Sequence, residues 1–222
     1  AVDGPPITAN LIARFDAALG ITKDGSDLVS QWDDQGTSGY DVTQGTGASQ
    51  PLWVDSQING LPCVRFDGTN DVLSVTSVTQ VTQPVTVYLV VKFITWTEFD
   101  AVYGFGNDGG KIMRLSQESA TPAIELRAGP TGPSRSPTLT TWYAVTGVYN
   151  GASSTLRLNA GTEATADAST ASLFNEIVIG GMTTSGNFAN FDLAEFVIYD
   201  GAHDATDQGT MRTYLNGKYS IY

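Results

Sequence analysis

Cysteine and histidine are nearly absent: one of each occurs in 222 residues. A single cysteine, Cys63, excludes an intrachain disulfide, and one cysteine with one histidine cannot furnish the usual zinc ligand sets. Basic residues are scarce as well, 11 lysines and arginines against 23 aspartates and glutamates. The resulting formal charge of −12 repels phosphate backbones and anionic lipid surfaces at long range. Neither nucleic acid nor a membrane surface is therefore expected as a partner. No apolar run approaches the roughly 18 residues of a membrane span, so membrane insertion is not expected either. The opening, AVDGPPIT, lacks the basic and apolar regions of a secretory signal.

What the chain does contain is alternation and turn chemistry. Hydrophobic residues make up 41% of it, enough for a globular core. Val85, Val87, Leu89, Val91 and Phe93 alternate with Thr86, Tyr88, Val90, Lys92 and Ile94, the period of a long strand with both faces covered. TTWYAVTGVYN, STLRLN, NEIVIGG and FANFDLAEFVIYD alternate in the same way, and STLRLN reads as the middle of a meander. Turn dipeptides such as Asp67-Gly68, Asn150-Gly151 and Ser185-Gly186 separate these runs. Strands at this spacing without intervening helices predict antiparallel sheets. One helix is expected, from Asp204 as N-cap to Asn216, with Gly217 as a left-handed stop. No repeat or linker divides the chain, which predicts one domain over residues 1–222 with an extended arm at 1–8.

Two segments carry a family resemblance. WDDQGTSGYDVTQ and INGLPCVRFDGTNDVLSV lie between Trp32 and Val75, and FDLAEFVIYDGAHDATDQGTMRTYLNGKYSIY runs from Phe191 to Tyr222. The residues that carry the pattern include Trp32, Asp34, Asp41, Arg65, Asp67, Gly68, Asp71, Glu195 and Asp200. They resemble the laminin-G-like, concanavalin A-like jelly-roll domains of bacterial and phage proteins. The resemblance implies an all-β, two-sheet antiparallel sandwich with a short C-terminal helix, closed by strands from both ends of the chain. Most of these residues have structural readings. Asp67-Gly68 and Asn70-Asp71 are expected to turn a tight hairpin between VRF and VLSV, Asp34 and Asp41 to organise the QGTSGY loop, and Arg65 to clamp one of these carboxylates.

The catalytic patterns of this scaffold are incomplete in the sequence. A retaining glycosidase needs two carboxyls roughly 5–5.5 Å apart, but IELRAG, NEIVIGG and LAEFVIYD each hold one Glu. Lyases on related scaffolds use a His and Tyr pair; the only histidine, His203, sits in a turn and reads as a solvated residue. No serine occupies a strained elbow, and no glycine loop precedes a helix to cradle phosphate. An enzyme is not expected.

Recognition is the leading expectation: a lectin-like module that binds glycan. Sugar binding asks for an aromatic face ringed by amide, carboxylate or guanidinium groups. Trp32 and Trp142 read as core, and Trp53 points either way. Trp96 ends the long strand, near Tyr103 if the two strands form a hairpin, and with Asn107 and Arg114 it makes the candidate platform. Relatives often hold calcium on loop oxygens, so Asp100, Asn107, Asp108, Asn70 and Asp71 are candidate ligands, against a plain reading as turn residues. The competing expectation is a structural virion or cell-surface protein, such as a phage decoration or tail subunit, that trimerises or docks on other surface proteins. A polysaccharide hydrolase or lyase is the third. Either main reading places the chain outside the cell or on a virion surface, after signal removal or release by phage lysis.

Overall fold

The computed structural model describes residues 4–79, 82–108, 111–170 and 175–222. In chain order the strands are β1 (Leu11–Asp16), β2 (Ile21–Lys23), β3 (Val29–Trp32), β4 (Val42–Thr43), β5 (Leu52–Ile58), β6 (Leu61–Asp67), β7 (Leu73–Val75) and β8 (Val85–Phe93). There follow β9 (Ala101–Asp108), β10 (Lys111–Gln117), β11 (Ile124–Arg127), β12 (Ser134–Arg135), β13 (Trp142–Tyr149), β14 (Ser154–Leu158), β15 (Ala164–Ala166), β16 (Ile177–Ile179) and β17 (Asn190–Asp200). One helix, α1 (Ala205–Tyr219), comes after them.

Among the described residues these strands form two antiparallel sheets. The first has the order β15-β14-β13-β8-β17-β6-β5, with β1 following β6 along the same edge of β17; the second runs β12-β11-β10-β9-β16-β7-β4-β3-β2. The two ends of the chain meet in the first sheet, where Arg14 lies opposite Val197 and Asp16 opposite Glu195. Alternation explains the burial. Val85, Val87, Leu89, Val91 and Phe93 of β8 face the core between the sheets. Tyr88 and Val90 face outward, where Met211, Tyr214, Leu215 and Tyr219 of α1 cover them. The strand is thus apolar on both faces because each has a cover.

Several sequence expectations need correction. Asp67-Gly68 does not turn a hairpin: β6 and β7 lie in different sheets. Both edges of β6 are already paired, to β5 and β17, so the chain crosses the sandwich at a corner. Asp71 Oδ2 accepts from the Asp67 backbone at 2.9 Å, and Asp67 Oδ1 accepts from Thr69 at 2.7 Å. Gly68 has φ +74, and a Cβ there would stand 2.9 Å from that of Asn190. Likewise β8 and β9 form no hairpin, because β8 pairs with β13 and β17 and β9 with β10 and β16.

The helix continues past Gly217 to Tyr219, and Ser220 takes the left-handed position at φ 51. Packing overrides the glycine signal because Lys218 and Tyr219 are both engaged beneath the helix. Asn216 Oδ1 accepts from Ile221 and Tyr222 and closes the end. Asp204 is the N-cap as expected, accepting from Thr206 and Asp207. In the described part of the 1–8 segment, the Ile7 carbonyl accepts from the Tyr199 hydroxyl at 2.8 Å. That stretch lies against the first sheet. No helix among the described residues is long and apolar enough to cross a membrane.

Candidate functional site

The corner at Asp67–Asp71 sets up a cleft on the outer face of the second sheet. Val42 and Leu73 point into the core, so their neighbours Thr43 and Ser74, register partners on β4 and β7, point out. The 181–188 loop folds over the same face. It must lie close, since a Cβ on Gly104 of β9 would come within 2.1 Å of the Met182 carbonyl oxygen. An isolated bridge from Phe188 to Ala101 fixes its far end. Between loop and sheet lies a cleft of about 400 Å³, lined by Thr43, Gln44, Thr46, Ser49, Asn70, Ser74, Thr184 and Phe188 among others.

Its walls are held, and four of its hydroxyls have no partner among the described residues. Gln44 Nε2 donates to the Val72 carbonyl at 3.2 Å, and Gln44 Oε1 accepts from the Thr46 backbone at 2.9 Å. Asn70 Nδ2 donates to the Ala48 carbonyl at 2.9 Å and to Ser49 Oγ at 3.2 Å. The hydroxyls of Thr43, Thr46, Ser74 and Thr184 have no partner among the described residues. Among the described residues no charged side chain lines the cleft. Phe188, half-buried, supplies an apolar surface beside the four hydroxyls. Such a site can exchange hydrogen bonds with a neutral, hydroxyl-rich molecule while its carbon skeleton rests on the ring.

A larger groove, about 1130 Å³, runs beside α1 and is lined by Leu19, Leu61, Gly209, Thr213, Tyr214 and Lys218 among others. Beneath it Asp16 and Glu195 approach one another, but every oxygen is taken. Glu195 Oε1 accepts from Arg14 Nε at 2.9 Å and from the Tyr214 hydroxyl at 2.8 Å. Glu195 Oε2 accepts from Lys218 Nζ and the Tyr219 hydroxyl, each at 2.9 Å. Asp16 accepts from Arg14 Nη2, Lys218 Nζ and the Ala18 backbone. Burial alone would weaken the Arg14 charge, yet Glu195 and Asp16 outweigh it and raise the pKa. Burial first, then Glu195, pushes the Tyr214 and Tyr219 hydroxyls well up, so both stay neutral donors. Two cations and two carboxylates balance. The cluster anchors α1 to β1 and β17.

A family model described as the concanavalin A-like lectin/glucanases superfamily matches residues 67–207. The chain belongs to this superfamily. No curated protein matches the sequence significantly. Among solved structures, Trypanosoma rangeli sialidase in complex with sialic acid superposes with a TM-score of 0.61 at 15% identity, covering 96% of this chain and 34% of that one. Domain 4 of AbnA, an extracellular arabinanase from Geobacillus stearothermophilus in complex with arabinotriose, gives 0.62 at 15% identity over 92% of this chain and 100% of that one. An α-L-arabinofuranosidase soaked with 4-nitrophenyl α-L-arabinofuranoside gives 0.62 at 14% identity, over 83% and 50%. This chain spans about a third of the length of the sialidase. At these identities the likeness is one of fold.

Within this lectin/glucanase sandwich the expected platform does not assemble. Tyr103 is fully buried, stacks on Phe105 with ring centroids 4.6 Å apart, and shares a 2.8 Å hydrogen bond with the Tyr149 hydroxyl. It faces the core because its register partners Ile179 and Leu115 do. Trp96 is half-buried, edge-on to Phe93, and its indole donates to the Ser119 carbonyl at 2.6 Å. Arg114 stands opposite Arg127, and Glu118 lies between them, 3.5 Å from Arg114. Burial lowers the Arg114 pKa. The side chains of Asn107 and Asp108 lie outside the described residues.

The five candidate calcium ligands divide. Asn107 and Asp108 end β9, whereas Asp100 precedes its start, roughly 25 Å away along an extended strand. Asn70 and Asp71 sit at the Asp100 end, already engaged in the corner. The five thus lie at two separate places, and among the described residues no three His, Cys, Asp or Glu gather as metal ligands.

Other residues take different partners from those expected. Arg65 clamps Asp192, through Nε at 2.7 Å and Nη2 at 2.9 Å, and not a loop carboxylate. Trp142 is half-buried at the margin of the cluster beneath α1, whereas Trp32 is fully buried and donates to the Asp16 carbonyl. His203 is not a solvated turn residue. It packs against Tyr199 at 4.4 Å between ring centroids and bonds the Tyr88 hydroxyl through Nδ1 at 2.9 Å; burial lowers its pKa. Asp34 and Asp41 do organise their loop, accepting from Gly36 and from the Asp34 backbone. Asp200 ends β17 exposed, with its backbone N–H bonded to Asn10. Sequence reasoning missed Thr43, Ser74, Thr184 and Phe188. Nothing distinguishes them from other Thr, Ser and Phe in the chain until the corner and the loop bring them together.

Proposed function

We propose that this domain is a non-catalytic carbohydrate-binding module, working outside the cell, that seats a neutral glycan in the cleft of the second sheet. The observation that carries the reading is one cleft lined by Thr43, Thr46, Ser74 and Thr184, whose hydroxyls have no partner among the described residues, together with Phe188. A volume of about 400 Å³ falls within the usual range of small-ligand sites, roughly 300–1,000 Å³. The arabinanase domain in complex with arabinotriose, matched over its whole length, supports a module of this kind. Saturation of Asp16 and Glu195 supports a role without catalysis, because general acid–base work needs a carboxyl open to the substrate.

A glycan array followed by isothermal titration tests this. Thr43→Val with Ser74→Ala removes two hydroxyls at little change of shape and is expected to weaken binding about tenfold. Phe188→Ala is expected to do the same or more, and a calcium chelator to leave binding unchanged. Binding that survives all three substitutions, or release of reducing sugar from a bound polysaccharide, would overturn the reading.

A further inference from the structure

A second set of side chains lies on the other side of the sandwich. Register places Trp142, Lys92, Asp192, Arg65 and Leu52 in one row across β13, β8, β17, β6 and β5, on the outer face of the first sheet. Three strand spacings separate Trp142 from Arg65, roughly 14 Å. The apolar positions beside the row, such as Cys63, Val90 and Ala144, belong to the cluster beneath α1. The row itself is partly open: the Arg65 side chain is 37% exposed and that of Lys92 15%.

Its hydrogen-bonding capacity is one-sided. Asp192 is fully buried, and both its oxygens are engaged by Arg65, with Lys92 Nζ at 2.7 Å. Three of the four indoles donate to backbone carbonyls: Trp32 to Asp16, Trp53 to Ala17 and Trp96 to Ser119. The Trp142 N–H has no partner among the described residues, and neither does Arg65 Nη1. Lys92 has spare protons and stands 4.9 Å from the Trp142 ring centroid. Two cations and one carboxylate leave a local charge of +1 on a chain whose total is −12. What is left over is donors and positive charge. Such a surface complements an acceptor that is itself negative.

We propose that this row is a second binding site, separate from the cleft, for the carboxylates of an acidic polysaccharide. A uronate carboxylate accepts from Lys92 and Arg65 Nη1, while the sugar lies against Trp142 with a hydroxyl or ring oxygen accepting from the indole N–H. A neutral glycan leaves unbalanced the one positive charge that Asp192 does not neutralise, and this makes the row selective.

Isothermal titration of the whole chain with polygalacturonate, dextran sulfate and neutral dextran tests the assignment. Polygalacturonate is expected to bind most tightly. Lys92→Met is expected to weaken it about tenfold or more, since the lost bond is charge-assisted. Trp142→Phe keeps an aromatic ring and removes the N–H, so a loss of about threefold to tenfold is expected there. Arg65 still holds Asp192 in both variants, and thermal melts check that each is folded; if Lys92→Met does not fold, Trp142→Phe decides. The cleft variant Thr43→Val should bind polygalacturonate like the parent, so failure of the cleft reading leaves this one standing. No binding by the parent chain, equal binding by Trp142→Phe, loss in Thr43→Val, or tighter binding of dextran sulfate would each overturn the proposal.

Discussion

Replacing Glu195 by glutamine probes how the two ends of the chain are held together. Glu195 is fully buried and takes hydrogen bonds from Arg14, Tyr214, Lys218 and Tyr219. Glutamine keeps one acceptor oxygen but turns an NH₂ toward one pair of these donors. Arg14 and Lys218 are then left with Asp16 as their only anion in the cluster. Removing one partner of a buried ion pair costs about 3–5 kcal/mol, a large part of the ~5–15 kcal/mol that holds a domain folded. For a chain of this size that is a fall in melting temperature of roughly 6–20 °C. Urea unfolding followed by tryptophan fluorescence and far-ultraviolet circular dichroism measures it. Adding Lys218→Met restores neutrality, so the double variant should lose at least about 1 kcal/mol less than the sum of the singles. A single-variant loss under about 1 kcal/mol, or strict additivity, would refute the idea that this cluster clamps α1 to the sheet.

Two further outcomes follow from buried groups outside that cluster. Burial pushes the Asp71 carboxyl up to about 6, only partly offset by the Asp67 backbone N–H. A folded value above the unfolded one means the folded state holds the proton more tightly, so stability rises as pH falls through about 6 and levels off near 4. Asp71→Asn should therefore gain about 1–3 kcal/mol over the parent at pH 8, with the gain gone by pH 4; equal effects at both pH values in urea titrations would count against it. Cys63 is fully buried, and burial, then the Asp192 charge, lifts its thiol to about 12. Its reaction with an aromatic disulfide reagent at pH 8 should track global unfolding in urea, and rapid labelling of the native chain would contradict the packing described.

Strand rhythm made much of the fold legible. The alternation of β8 foretold burial on both faces, and the meander around STLRLN appears as β13-β14-β15. The resemblance carried by the two end segments foretold that strands from the two ends pair, as β6 does with β17. Legibility stopped where a residue's surroundings depend on distant chain. Asp67-Gly68 has the chemistry of a turn in either a hairpin or a corner, and only the occupied edges of β6 select the corner. Gly217 is a good helix stop in isolation, but Lys218 and Tyr219 draw the helix onward through bonds to residues about 200 and 24 positions away. Tyr103 and Phe105 flank Gly104 at strand spacing and so share one face, which the structure buries.

The sequence by itself determined element type and polarity: antiparallel strands, a capped helix, an excess of acidic over basic residues, and the turn residues that bend the chain. These are local properties, set by side-chain shape, backbone preference and charge count. Tertiary structure alone decided which residues became a site. Thr43, Ser74 and Thr184 share a cleft, and Trp142, Lys92 and Arg65 share a row, because strand register joins segments far apart in the chain. Register is fixed by burial of the opposite face, and that outcome no short stretch of sequence contains.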